Sequence, residues 1–224
     1  MSITRSLLLE GRSVPPNIPN AQTILNFTLA KKSERTISMD KATLRHQIKK
    51  KRPLLSPAYY DKANKIISNR ILNLDIFQSA QTILAFSAMT YEFDSSILQQ
   101  KAYQQEKKWL LPRVQGKSLS LHAVTPGQTL ELSSFGIQEP SLSVPTTSLQ
   151  DVDLIILPCL SCNHFGERLG YGGGYYDRLL MHYTGATLLP YFEKLMVEVI
   201  PTDRYDRKAD LVVTEKGLFS RPHF

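Results

Sequence analysis

The sequence has only two cysteines and one tryptophan, and no stretch of it approaches the length of apolar chain that a membrane span needs. Two cysteines cannot build a disulfide framework, so a reducing, cytoplasmic setting is expected. Cys159 and Cys162 have C-x-x-C spacing, but without a second pair and just after an apolar run they read as structural thiols before half a metal or redox site. Basic charge is scarce over most of the chain. The net charge is +7, yet Lys31 to Arg52 holds nine Lys and Arg against Glu34 and Asp40, which accounts for all of it. Nucleic-acid binders spread basic residues over a face with aromatics between them, so no nucleic-acid partner is expected. A basic helix serving one polyanionic ligand fits the segment, as does a solvated face. There is no Gly-Lys-Ser/Thr ending, and hence no P-loop.

What is present suits one α/β domain. The chain has 224 residues, 42% hydrophobic and 21% charged, enough for a substantial core. Residues 1–38 contain Pro15, Pro16 and Pro19 without a sustained amphipathic period, so they are expected to be an extension with little structure. The catalytic domain is expected over residues 39–224. Asp40 can cap a helix carrying the apolar pair Leu44 and Ile48, stopped by Pro53. Ser56 and Pro57 open a second helix with Ala63, Ile66, Ile67 and Ile71 as its stripe. Strands are predicted at Thr82–Ser87, Trp109–Leu111, Ser118–Val124, Val152–Leu157, Ala186–Phe192, Met196–Ile200 and Leu211–Thr214, with a crossover between the second and third. Asp94 or Ser95 opens a helix running towards Lys107, and Thr125–Gln150 reads as a long irregular connection. The implied architecture is a central mostly parallel or mixed sheet flanked by helices, in a Rossmann-like three-layer arrangement. Nothing in the sequence calls for an obligate assembly, and a monomer or weak homo-oligomer is expected.

Gly166 to Arg178, GERLGYGGGYYDR, packs five of the eleven glycines into thirteen residues. It follows the strand-length run Val152–Leu157 and precedes a predicted helix over Tyr175–Tyr183. Strand, loop and helix make a phosphate-binding layout, in which freed N–H groups and a helix N-terminus face an anion. The loop is no dinucleotide fingerprint, because Tyr175 stands where one starting at Gly170 needs its third glycine. The same residues also suit a plain glycine-rich turn. Ligands of open α/β sheets collect beyond the carboxyl ends of strands, which draws attention to Ser87–Asp94, Pro158–Tyr176 and Pro201–Asp210. Lys41 and Arg45 lie one turn apart and can converge on one anion. Glu92 suits an amidine-like edge such as that of a pterin, or is a surface carboxylate. Asp206 and Asp210 suit a hard cation, or decorate a loop.

These segments together, GERLGYGGGYYDR, VDLIILP, DKATLR, MTYEFD, LLPRV, FGIQEP and the closing P-x-x-x-x-D-x-x-x-D-L-V-V-T-E, resemble the 5-formyltetrahydrofolate cyclo-ligase family from about Met39 to Glu215. The resemblance implies an ATP-dependent, Mg2+-requiring ligase that closes 5-formyltetrahydrofolate to 5,10-methenyltetrahydrofolate, releasing ADP and phosphate. It implies phosphorylation of the formyl oxygen by ATP, then attack by folate nitrogen 10, with no protein nucleophile. A related α/β ATP-binding protein with a different or lost folate activity is the alternative.

Carried over by resemblance, ATP binding falls to Lys41, Arg45, Arg168, Leu169, Gly170, Tyr171, Gly172, Gly173, Gly174, Tyr175 and Tyr176. Folate binding falls to Glu92 with Ser87, Met89 and the run Tyr171, Gly172, Gly173, Gly174, Tyr175. Arg168, Tyr176 and Lys41 are the implied catalytic residues, and Asp177 and Asp206 the implied metal ligands. Some members carry basic residues at the positions of Tyr171 and Gly173, so here Lys41, Arg45, Arg168 and the metal neutralise more charge. Cys162 and Asn163 stand where many relatives have Phe-Asp, in what the resemblance makes a pocket wall.

Overall fold

The computed structural model describes residues 40–220, so the expected extension over residues 1–38 lies outside the described residues. The chain starts as its caps dictate. The Asp40 carboxylate accepts from the Thr43 N–H at 2.6 Å and opens α1, Lys41–Lys51, which tightens into a 3-10 turn at Arg52–Leu54. Ser56 caps α2, Pro57–Leu72, and Tyr60, Ala63, Ile67 and Ile71 form its buried face, with Ile66 only half-buried. A short α3, Asp75–Ser79, too brief to show a period, buries Phe77 and leads to β1, Thr82–Leu84.

The remaining elements are α4, Ser96–Gln104; β2, Lys108–Gln115; β3, Ser118–Val124; β4, Glu131–Leu132; β5, Gln138–Glu139; β6, Leu154–Ile156; β7, Ser161–Cys162; β8, Arg168–Leu169; α5, Tyr175–Leu180; β9, Ala186–Pro190; β10, Leu211–Val213; and β11, Leu218–Ser220. Seven strands form one sheet in the order β11-β10-β9-β6-β1-β2-β3. Pairings from β10 through β9, β6 and β1 to β2 are parallel, and the two edge pairings are antiparallel. The central strands are short and buried on both faces, as apolar runs without alternation require.

Four expectations need correction. The β2 and β3 strands form a direct antiparallel hairpin, so no crossover lies between them. The strand expected at Trp109–Leu111 runs on through Pro112 to Gln115, because Pro112 lies beyond Leu110, the last residue paired with β1, where β2 has a partner on one side only. Met196–Ile200 is not a strand: a 3-10 turn at Glu193–Leu195 precedes it, and Val197 donates to the Cys162 carbonyl at 3.1 Å. The helix after the glycines ends at Leu180, where His182 and Tyr183 donate to carbonyls three residues back. A six-residue helix supplies little dipole.

The chain leaves β1 for β2 on one side and leaves β6 for β9 on the other. That divergence opens a crevice between the ends of β1 and β6, a place where α/β sheets take ligands. A second, smaller apolar cluster fixes α1 beside it: Leu44 and Ile48 pack with Leu160, Leu169 and Ile200. The basic helix is thereby held against the β7–β8 hairpin from which the glycine run emerges.

Candidate active site

Two cavities flank the glycine run. One, of about 540 Å³, is walled by Lys41, Arg45, Arg168, Leu169, Gly170, Gly172, Gly174, Asp177, Asp203 and Asp206, with Arg178, Met181 and Tyr205 at its margin. The other, of about 350 Å³, is mainly apolar. Phe86, Ser87, Met89 and Glu92 come to it from the loop after β1, Pro112 and Val114 from β2, and Phe135, Ile137 and Glu139 from around β5. Arg168, Gly170, Gly174 and Asp177 belong to both walls.

Of the residues expected to bind ATP, Lys41, Arg45, Leu169, Gly170, Gly172 and Gly174 line the charged cavity with Arg168, whereas Tyr171, Gly173, Tyr175 and Tyr176 line the apolar one. Ser87, Met89 and Glu92 join those four, and Gly172 faces only the charged side. The loop is shaped by its glycines where the backbone demands it. Gly174 adopts φ +65° as the N-cap of α5, and Gly166 at φ +78° lies so close to the Ala209 carbonyl that an added Cβ would sit 2.3 Å from its oxygen.

The charged cavity is organised by ion pairs. Lys41 Nζ donates to Asp203 Oδ2 at 2.8 Å and to Asp206 Oδ2 at 2.6 Å. Partial burial works against the Lys41 charge, but those two carboxylates outweigh it and raise its pKa. Arg45 Nε donates to the Gly170 carbonyl at 2.8 Å, which lays the guanidinium against Gly172. Arg168 is buried and donates to Asp177 Oδ1 at 2.6 Å. Among the described residues its Nε–H is buried without a partner, and so is the Tyr176 hydroxyl. An unmet buried polar group costs about 1–3 kcal/mol, so both stand ready for a ligand atom. Burial, then the Glu92 charge, pushes the Tyr176 hydroxyl pKa up, so it remains a protonated donor.

In the apolar cavity Glu92 is almost fully buried. Its Oε2 accepts from the Met89 N–H at 2.8 Å and its Oε1 from the Tyr171 hydroxyl. Burial pushes the carboxyl pKa up, against the opposing pull of those two donors and of the Arg52 charge. Asp177 and Asp206 both face the charged cavity, with Asp203 beside them. Among the described residues no cluster of three or more His, Cys, Asp or Glu has metal-binding geometry. Asp210 is elsewhere: its carboxylate accepts from the Thr187 N–H at 3.0 Å and from the Thr187 hydroxyl at 2.6 Å.

Cys162 and Asn163 line neither cavity. Both are buried, and Asn163 Oδ1 closes the β7–β8 turn by accepting from the N–H groups of Phe165 and Glu167, each at 3.1 Å. Sequence reading assigned no site role to Arg52, Phe135, Ile137, Glu139 or Asp203. A signal existed for two groups of these. Leu44, Ile48 and Arg52 repeat every four residues, which puts a charge on a buried stripe. Phe135, Ile137 and Glu139 alternate within FGIQEP, as residues sharing one face of an extended segment do.

A sequence model of the 5-formyltetrahydrofolate cyclo-ligase family matches residues 37–215. This chain belongs to that family. The matched span holds every residue of both cavities. The 5-formyltetrahydrofolate cyclo-ligase of Haemophilus influenzae is 28% identical over 170 residues, covering 73% of this chain and 91% of that one. The Mus musculus protein of the same name is 27% identical over 197 residues, covering 80% and 96%. Among solved structures, the NMR structure of Aquifex aeolicus 5,10-methenyltetrahydrofolate synthetase superposes with a TM-score of 0.72 at 30% identity, over 80% of this chain and 92% of that one. Membership thus rests on sequence and architecture together, and the cyclo-ligase fold places the glycine run between two chemically different spaces.

Proposed function

We propose that this chain catalyses the ATP-dependent cyclisation of 5-formyltetrahydrofolate to 5,10-methenyltetrahydrofolate, releasing ADP and phosphate. The observation that carries this reading is the shared wall: Arg168, Gly170, Gly174 and Asp177 border a charged cavity on one side and an apolar one on the other. A polyanion suits the first. A fused ring with a few polar edges suits the second, where Glu92 offers carboxylate lone pairs to the N–H groups of a pterin.

The formyl oxygen is a poor leaving group until it is phosphorylated by the γ-phosphate, after which folate nitrogen 10 closes the ring and phosphate departs. Such transfer depends on alignment and charge stabilisation by the protein, with no covalent intermediate on it. Lys41 and Arg45 hold the phosphate chain. Arg168, whose Nε–H on the shared wall has no partner among the described residues, meets the charge that develops between the reacting atoms, and the Tyr176 hydroxyl donates beside it. The residues present fit Mg2+: two carboxylates, Asp177 and Asp206, border the cavity that suits phosphates, and this ion binds through one or two carboxylates plus substrate phosphate oxygens. When bound there it would supply charge neutralisation across the phosphates. The protein is proposed to act in the cytoplasm, and no helix among the described residues is long and apolar enough to cross a membrane.

The decisive test mixes the protein with 5-formyltetrahydrofolate and magnesium and follows the methenyl chromophore with and without ATP. Product that appears only with ATP is the expected result. ATP binding with no methenyl product would overturn it in favour of an ATP-binding relative with another activity.

A further inference from the structure

The guanidinium of Arg52 is buried at the end of α1, yet among the described residues it forms no ion pair with a carboxylate. One arm is spent on the backbone: Nη2 donates to the carbonyls of Cys159 at 2.8 Å and Leu160 at 3.0 Å. The other arm, Nη1, donates to the Tyr171 hydroxyl at 2.8 Å. That hydroxyl in turn donates to Glu92 Oε1. Three elements distant in sequence are thereby wired in series, from α1 through the glycine run to the loop after β1.

We infer that Arg52 is a positioning residue for the folate site, acting through the Tyr171 hydroxyl on Glu92. A guanidinium can only donate, and a phenol has one proton. Arg52 can only donate and the ionised Glu92 carboxylate can only accept, so the phenol proton points at Glu92 while Arg52 anchors the phenol oxygen from the other side. Glu92 then has a donor on each oxygen, from Tyr171 and from the Met89 N–H, and both stay in place with lone pairs left for a ligand in the cavity. Remove Arg52 and the phenol oxygen loses that anchor, so the hydroxyl is held against Glu92 from one side only. Tyr171 itself is 39% exposed and lies between Gly170 and Gly172, with the Arg52 guanidinium 5.9 Å from its ring centre. A charge buried with two carbonyls and a phenol costs desolvation, which a purely structural end to α1 would avoid.

The inference rests on Glu92 as the folate-binding carboxylate, and the experiment separates the two. Steady-state kinetics of methenyl formation would be compared for Arg52→Gln, Tyr171→Phe, the double variant, Arg52→Lys and Glu92→Gln. Arg52→Gln and Tyr171→Phe should each raise KM for folate about 10-fold, the scale of one hydrogen bond to a charged group, and leave KM for ATP unchanged. The double variant should be no worse than either single one, since both cut the same wire. Arg52→Lys, still a donor, should recover part of the loss. If Tyr171→Phe leaves the folate KM unchanged, or if the double variant is additive, the relay is overturned. Tyr171 is exposed, so its variant decides the matter even where Arg52→Gln does not fold. An unchanged folate KM in Glu92→Gln would instead overturn the assignment of Glu92, and the relay with it.

Discussion

The cavity beside Lys41 and the cavity beside Glu92 differ by less than a factor of two in volume, at about 540 and 350 Å³, but they hold their polar groups in opposite ways. In the first, charges hold one another: Lys41 bridges Asp203 and Asp206, and Arg168 grips Asp177. In the second, two buried carboxylates are held by neutral donors, Glu92 by an amide and a phenol and Glu139 by the Val114 N–H at 3.4 Å, amid Phe86, Pro112, Val114, Leu119 and Ile137. The Lys41 pairs reach solvent and can be reassigned to a ligand, whereas Arg168 is buried in the shared wall. A carboxylate fixed in an apolar wall instead recognises shape and a few well-aimed donors. The contrast is what the proposed division needs, phosphates on one side and a ring system on the other, with Arg168 in the wall common to both.

Breaking that common element should have the largest effect. Arg168→Ala is expected to lower kcat/KM by about 10³-fold, the upper range for losing one aligned charge-stabilising donor, and to impair both substrates in the methenyl assay. Lys41→Ala should cost about 10²-fold and act on ATP alone, leaving folate binding by calorimetry unchanged. Glu92→Gln should mirror it, raising KM for folate about 10-fold with KM for ATP unchanged. The sign of its pH dependence follows from burial. The ionised carboxylate is the acceptor and its pKa is raised, so the acid limb of kcat/KM for folate should lie above the ordinary glutamate range and vanish in Glu92→Gln. Asp177→Asn should raise the magnesium concentration needed for half-maximal rate; an unchanged titration would remove that residue from the metal site. Smallest of all is deletion of residues 1–38, expected to change neither KM, since both cavities are built from residues 41–206.

Much of the molecule was legible in its residues. Asp40 and Ser56 announced the first two helices because capping is a local event, and the central strands showed as apolar runs because they are buried on both faces. Met196–Ile200 misled because a short, mostly apolar run reads alike whether it pairs in a sheet or, as here, packs Val197 and Ile200 on a small cluster. The strands β7 and β8, two residues each, are too short to carry a period. Within the site, glycine density and the spacing of Lys41 and Arg45 pointed to residues that the fold brings to one cavity. The division of Tyr171, Gly173, Tyr175 and Tyr176 from Gly170 and Gly172 depends on which way the loop turns, and no spacing rule gives that. Arg52 was hidden in a run of four basic residues, Lys49 to Arg52, of which only the last is buried.

The bridge from Lys41 to Asp203 and Asp206 also bears on how a phosphate chain would enter. An anion arriving at Lys41 meets a group already balanced by two carboxylates, so its entry is an ion exchange in which the aspartates are released as the phosphates are taken up. Carboxylates set free next to newly bound phosphates form a site for a cation that neither partner makes by itself. Nucleotide and metal should therefore bind with positive linkage, each tightening the other by the same factor.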